Sequence, residues 1–208
     1  MAAQVRVLEL DEIGGEPVGG KAAGLARLRG FGLRVPEAVV LVGATPQTPN
    51  AEVREVVSAL IARFGEAKLA VRSSAMGEDG AEASFAGQYD TVLDVQGSEA
   101  LEAAIWTCLR SVVSDRASAY RDARDGQESD APVHVHEADG ADTAAVDMSV
   151  VVQRMVDARV SGVCFTVDPV THRRNRLVLD SVLGLGEALV SGHASADHDE
   201  FLRFEKRW

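Results

Sequence analysis

Between Asp125 and Asp147 the 208-residue chain carries seven acidic residues, no Lys or Arg, and few bulky apolar side chains. Such a stretch buries too little apolar surface to offset the entropy of ordering it. It therefore predicts an exposed connector joining two parts of one α+β domain, with approximate subdomains 1–124 and 148–208. A length of 208 residues suits one large domain or two closely joined subdomains. His134 and His136 lie in this connector, and without further ligands they make a poor metal site.

The first part alternates strand and helix patterns. Val5 to Leu10 predicts a short strand with Val5, Val7 and either Leu8 or Leu10 inward. A glycine-dense turn follows (Gly14, Gly15, Gly19, Gly20), then Lys21 and a helix to Phe31 with Leu25, Leu28 and Phe31 at helical spacing. Ala38 to Val42 reads as a buried strand. In Ala51 to Phe64, the residues Val53, Val56, Val57, Leu60, Ile61 and Phe64 form an apolar stripe at three- and four-residue steps, with Gly65 as the stop. A further helix begins near Ser98 and buries Leu101, Ile105, Cys108, Leu109 and Val112, and the basic Arg116, Arg121 and Arg124 near its end complement the helix dipole. The second part is β-rich: Met148 to Val152, Arg159 to Val167, Arg176 to Val182 and Glu200 to Phe204 predict strands.

The totals exclude some functions. A net charge of −11 disfavours a sequence-independent nucleic-acid binder, because the phosphate backbone repels such a surface, yet it leaves room for a local basic pocket. No apolar run approaches membrane-spanning length. The N-terminus lacks a basic start and an apolar signal core. Cys108 and Cys164 sit far apart in apolar runs and read as buried free thiols, in keeping with a reducing cytoplasm.

Leu69 to Val95 carries the most distinctive chemistry. Two β-like runs, Leu69–Val71 and Tyr89–Val95, flank a polar segment punctuated by Gly77, Gly80 and Gly87. Arg72, Ser73 and Ser74 stand where the first run opens. A guanidinium there, backed by hydroxyls, suits an anionic, phosphate-like group; a hairpin with a solvated arginine fits the same residues. Gly15 to Ala22 falls one residue short of a P-loop, since Ala22 stands where a Ser or Thr hydroxyl would hold Mg²⁺. Gly184-Leu-Gly186 imitates a dinucleotide fingerprint, but Leu189 occupies its third glycine position. Asp168, Asp180 and Glu187 are acids in or beside β-runs, open to a metal or ribose role or to plain solvation. No Gly-x-Ser-x-Gly elbow supports a nucleophile at Ser73 or Ser74.

Several motifs then occur in one order: Val18-Gly-Gly-Lys-Ala-Ala-Gly-Leu25, Ala70-Val-Arg-Ser-Ser-Ala75, Glu78-Asp79, Ala83-Ser-Phe-Ala-Gly-Gln88, Val150-Val-Val-Gln153, Ser161-Gly-Val-Cys-Phe-Thr166, Asp168-Pro169 and Gly184-Leu-Gly-Glu187. From about Ile13 to Phe204 the chain resembles the ATP-binding domain of phosphoenolpyruvate synthase, pyruvate phosphate dikinase and rifampin phosphotransferase. The resemblance implies an ATP-grasp fold, two subdomains around a nucleotide cleft. It implies that Lys21 and Arg72 contact the ATP phosphates and act in catalysis, that Gly87, Thr91 and Val92 lie along the nucleotide, and that Gln153 sits beside the adenine. Two cations suit a polyphosphate and an amide suits an adenine edge. Members of the family cleave ATP to AMP and move the β-phosphoryl group to a histidine on a separate domain, which passes it to pyruvate, rifampin or another acceptor.

Three departures from the family follow. The first subdomain is trimmed before Arg72. The acidic Mg²⁺-binding strand and the Gln-x-Arg-Pro stretch expected next do not occur before Trp208, so the Mg²⁺ ligands are expected mainly outside this chain. His172, His193 and His198 match no phosphohistidine motif. The expectation is the ATP-binding part of a phosphotransferase, cytoplasmic, working with a second polypeptide that supplies the carrier histidine and remaining segment, and slow on ATP alone. The alternatives are a non-catalytic nucleotide-binding or regulatory module of the same descent and, more remotely, an ATP-grasp ligase forming an acyl phosphate.

Overall fold

The computed structural model describes residues 4–75, 91–125 and 148–202, and the side chains of these apart from 112–125. The acidic connector with His134 and His136, Gly77, Gly80 and Gly87, the Glu78-Asp79 and Ala83–Gln88 stretches, and the side chains of Val112, Arg116, Arg121 and Arg124 lie outside the described residues.

The chain forms two compact units, Met1–Met155 and Val156–Trp208. The first holds β1 (Arg6–Glu9), α1 (Gly19–Gly30), β2 (Ala38–Val42), α2 (Asn50–Phe64), β3 (Leu69–Ala75), β4 (Thr91–Val95), α3 (Ser98–Asp125) and β5 (Met148–Arg154). Its sheet is antiparallel throughout, in the order β1-β2-β5-β3-β4. The strand β5 follows the connector in sequence, and the sequence pattern groups it with the second part. Here it pairs with both β2 and β3, so the unit boundary falls at Met155 rather than before Met148. Its burial explains the placement: Val150, Val151 and Val152 are fully buried, as a central strand covered on both faces requires.

Each face of the sheet has its own apolar cluster. On one face, Val39, Leu41, Leu69, Val71, Val150 and Val152 meet Val53, Val57, Leu60 and Phe64 of α2 and Leu101, Ile105, Cys108 and Leu109 of α3. The helix α2 ends where predicted, with Gly65 at φ 59° donating its N–H to the Ile61 carbonyl. On the other face, Ala38, Val40, Val42 and Val151 meet Leu10, Ile13, Val18 and Ala22, with Leu25 half-buried beside them. The expected stripe of α1 is only partly used. Leu28 and Phe31 are exposed, because the helix lies on the sheet through its N-terminal half. Val7, expected inward, is also exposed on the edge strand β1, while Leu8 and Leu10 pack inward.

The second unit holds β6 (Val160–Phe165), β7 (Arg176–Leu183), the single turn α4 (Glu187–Val190) and β8 (Asp197–Leu202). The strands form an antiparallel meander. Cys164, expected buried, is exposed: it alternates with the half-buried Val163 and Phe165 along β6. Among the described residues no helix is long and apolar enough to cross a membrane.

Candidate functional site

Antiparallel registry decides which side chains of the first unit share a face, since directly paired and alternate residues point the same way. Arg72 pairs with Thr91 on β4 and with Val151 on β5, and Ala70 pairs with Gln153. Arg72, Thr91 and Gln153 therefore lie on the face that α1 covers through Val151. That face is divided. Its β2 part is aliphatic and sits beneath α1, whereas its β5–β3–β4 part presents Ser149, Gln153, Arg72, Ser74 and Thr91.

Arg72 is half-buried, and its Nε is fully buried with no hydrogen-bond partner among the described residues. A buried donor left unpaired costs free energy that a ligand's acceptor recovers. Thr91 is exposed, and Gln153 is buried to 9% exposure. Val92 behaves differently: it faces the opposite side and packs against the α2–α3 cluster. Only its backbone is left for the nucleotide role expected of it. Gly87 lies outside the described residues.

Lys21 occupies the first turn of α1, half-buried. The strand serines hold that turn against the sheet. Ala22 donates its N–H to Ser74 Oγ at 3.1 Å, and Ser149 Oγ donates to the Val18 carbonyl at 2.5 Å. Gly19 has φ 75°, and a Cβ there would stand 2.5 Å from the carbonyl carbon and oxygen of Ser74. No side chain other than hydrogen fits. Sequence reasoning weighs Ser74 as a phosphate-loop hydroxyl and as a nucleophile, and it misses Ser149. The signal was present as a lone hydroxyl beside the aliphatic run Val150–Val152 in a strand buried on both faces.

The end of β5 beside Gln153 is fixed by Glu37, just before β2. Arg154 donates its backbone N–H to the Glu37 carbonyl at 2.8 Å and two guanidinium N–H groups to Glu37 Oε2 at 3.0 and 3.2 Å. Arg63 joins Glu37 at 2.9 Å and also pairs with Glu9. These bonds hold the Glu37 and Glu9 carboxyls below their ordinary range, the Arg63 hydrogen bond being the largest cause in each.

Two of the second-unit acids, Asp168 and Asp180, have structural partners. Asp168 accepts the N–H groups of Val170 and Thr171 at 2.9 and 3.0 Å and the Thr171 hydroxyl, and these bonds hold its carboxyl down at about 2. Such a carboxylate closes its own turn. Asp180 pairs with His198 Nδ1 at 2.6 Å across β7 and β8, and this bond raises the histidine pKa. Glu187 opens the single turn α4. Among the described residues no group of three or more His, Cys, Asp or Glu side chains converges to hold a metal.

The sequence model of the pyruvate phosphate dikinase AMP/ATP-binding domain matches residues 38–207. The chain is 46% identical over 158 residues to a rifampicin phosphotransferase of a Streptomyces species, covering 76% of this chain and 16% of the relative. It is 40% identical over 148 residues to the phosphoenolpyruvate synthase of Pyrococcus furiosus, covering 70% and 16%. It is 42% identical over 131 residues to the prodigiosin synthesizing transferase PigC of Serratia marcescens, covering 63% and 13%. The chain thus spans about a sixth or less of the length of these curated relatives. With a family model covering residues 38–207 and relatives at 40–46% identity, the chain belongs to the pyruvate phosphate dikinase AMP/ATP-binding domain family.

Proposed function

We propose that this chain is the ATP-binding part of a phosphotransferase of the dikinase type, and that ATP is taken up against the polar part of the α1 face. The observation that carries this reading is the buried Nε of Arg72, unpartnered among the described residues, on the same face as Thr91 and Gln153. In this proposal the Arg72 guanidinium and the Lys21 ammonium neutralise phosphate oxygens, and the Gln153 amide reads the adenine edge. Thr91 and the backbone at Val92 and Gly87 line the nucleotide. Phosphoryl transfer depends chiefly on positioning and charge neutralisation, and these are the tasks open to such residues.

The proposal keeps the ATP-grasp class for the fold. It assigns the later steps to other parts: cleavage of ATP to AMP with transfer of the β-phosphoryl group to a histidine on a separate domain or polypeptide, then to a small acceptor. Mg²⁺ would accompany the ATP polyphosphate, held by groups other than Asp168 and Asp180, which are engaged by their own neighbours.

Titration calorimetry of the purified chain with ATP tests the reading. The expected result is saturable binding that Arg72→Ala weakens by about tenfold, the value of a charge-assisted hydrogen bond. Equal affinity in both proteins would remove the phosphate site.

A further inference from the structure

We propose that Ser74 and Ser149 are positioning residues that set Lys21 over the same sheet face as Arg72. The inference rests on the ATP reading above and assigns the part of the machinery that places one of its two cations.

The two serines are register partners on β3 and β5, at 0% and 1% exposure. Around Ser149 the strand is aliphatic, so a third branched apolar side chain would suit the sheet better than a hydroxyl does. Both hydroxyls are instead spent on one target. Ser74 Oγ accepts the Ala22 N–H, and Ser149 Oγ donates to the Val18 carbonyl, so the two residues hold both ends of the five-residue turn that contains Lys21. The helix has no capping device of its own. Its N-cap residue is Val18, which makes no side-chain cap bond, and its first turn carries no acidic residue. The strand hydroxyls take over that role from across the sheet. Gly19 completes the clamp, because its missing Cβ lets the turn backbone lie directly on Ser74.

The consequence for the site follows from spacing. Arg72 is two residues before Ser74 on the same strand face, about 7 Å along the strand. Lys21 directly precedes the clamped Ala22. A lysine carries its charge on a flexible four-carbon stem, so the position of its Cα is what the protein can fix in advance. The clamp fixes it relative to Arg72. Ser74 Oγ is fully buried and committed as an acceptor, which removes it as a nucleophile and leaves it this mechanical task.

The test is a double-mutant cycle read by ATP titration calorimetry, with urea unfolding and amide hydrogen exchange at Ala22 on the same proteins. Ser74→Ala and Ser149→Ala are each expected to weaken ATP binding by about fivefold, the value of one ordinary hydrogen bond, and to expose the Ala22 amide to exchange. Ser74→Ala combined with Lys21→Met should bind no more weakly than Lys21→Met alone, within about twofold, because the serine acts through the lysine. Additive losses, or an unchanged affinity in both serine variants while Lys21→Met is weakened, would overturn the proposal and leave the ATP site standing. Parent-like ATP binding by both Lys21→Met and Arg72→Ala would overturn the ATP site itself, and the positioning role with it. Failure of both serine variants to fold would assign the hydroxyls to stability alone and overturn the proposal as well.

Discussion

The two faces of the five-stranded sheet have been given different work. The face under α2 and α3 is apolar along β2, β3 and β5 except at the buried Ser73, and it meets Leu60, Leu101, Ile105 and Leu109, each at 2% exposure or less. The face under α1 is aliphatic only along β2 and at Val151, and becomes polar at Ser149, Gln153, Arg72, Ser74 and Thr91. One sheet thus carries stability on one side and accepts unsatisfied chemistry on the other. The alternation of side chains along a strand makes this possible: Val71 and Arg72 are neighbours in sequence and belong to opposite roles.

The largest effect that would test this division comes from Ile105→Ala on the apolar side. Its side chain is fully buried in the α2–α3 cluster. Truncation should cost about 2–5 kcal/mol by urea unfolding, while the protein that remains folded binds ATP within about twofold of the parent. A loss of affinity beyond that would mean that the two faces are coupled through the strands.

Gly19→Ala should break the division in the other direction, since Gly19 touches both fold and site. Alanine at φ 75° carries about 1–2 kcal/mol of backbone strain and places its Cβ against the Ser74 backbone. The expected outcome is a loss of about 2 kcal/mol or more in unfolding free energy together with weaker ATP binding. Parent-like affinity in the destabilised protein would show that the turn does not need its close contact with β3.

Arg72→Leu should separate the faces most cleanly. The buried Nε has no partner among the described residues, so removing it should relieve a desolvation cost of about 1 kcal/mol or more. Unfolding should show unchanged or increased stability, while ATP affinity falls by about tenfold. Marked destabilisation would show that Arg72 holds the sheet together and would make it a structural residue.

Most of the elements were legible because their patterns are local. The α2 stripe from Val53 to Phe64 and the Gly65 stop declare themselves at helical spacing, and both are found. The position of β5 was not legible, because strand order depends on pairing across more than seventy residues of chain, and a strand with a valine-rich centre reads alike in either unit. Leu28 and Phe31 misled for a related reason: helical spacing identifies a helix, but not how far the sheet beneath it extends. At the site, Arg72 stood out by residue type and Gln153 only through the family resemblance, and registry put them on one face with Thr91. Val92 did not follow, since a one-residue step along a strand reverses the face. The two serines escaped because a hydroxyl in a strand carries no mark of the turn it will bind fifty or more residues away.

The smallest effect concerns the rim of the apolar face, where Arg63 and Arg154 lie over the Phe64 ring at 5.5 and 5.7 Å and are tied down by Glu9 and Glu37. The Glu37 carboxyl lies below its ordinary 4.5, first because of the Arg63 hydrogen bond and then the Arg154 bond, against an opposing desolvation. A depressed carboxylate contributes stability that is present above its unfolded value and lost as pH falls through its folded one. Acidification below about 4.5 should therefore weaken the first unit, and Glu37→Gln should flatten that part of the stability curve. The side chains of Arg63, Glu9 and Glu37 are about a third exposed. Solvent screening then limits the loss at pH 7 to between a few tenths and about 1 kcal/mol. ATP affinity at pH 7 should stay within about twofold of the parent, because the Glu37 carbonyl still accepts the Arg154 backbone N–H and keeps the strand end in place. A drop beyond fivefold would mean that the Glu37 side chain holds Gln153 as well as Phe64. The rim would then belong to both faces of the sheet.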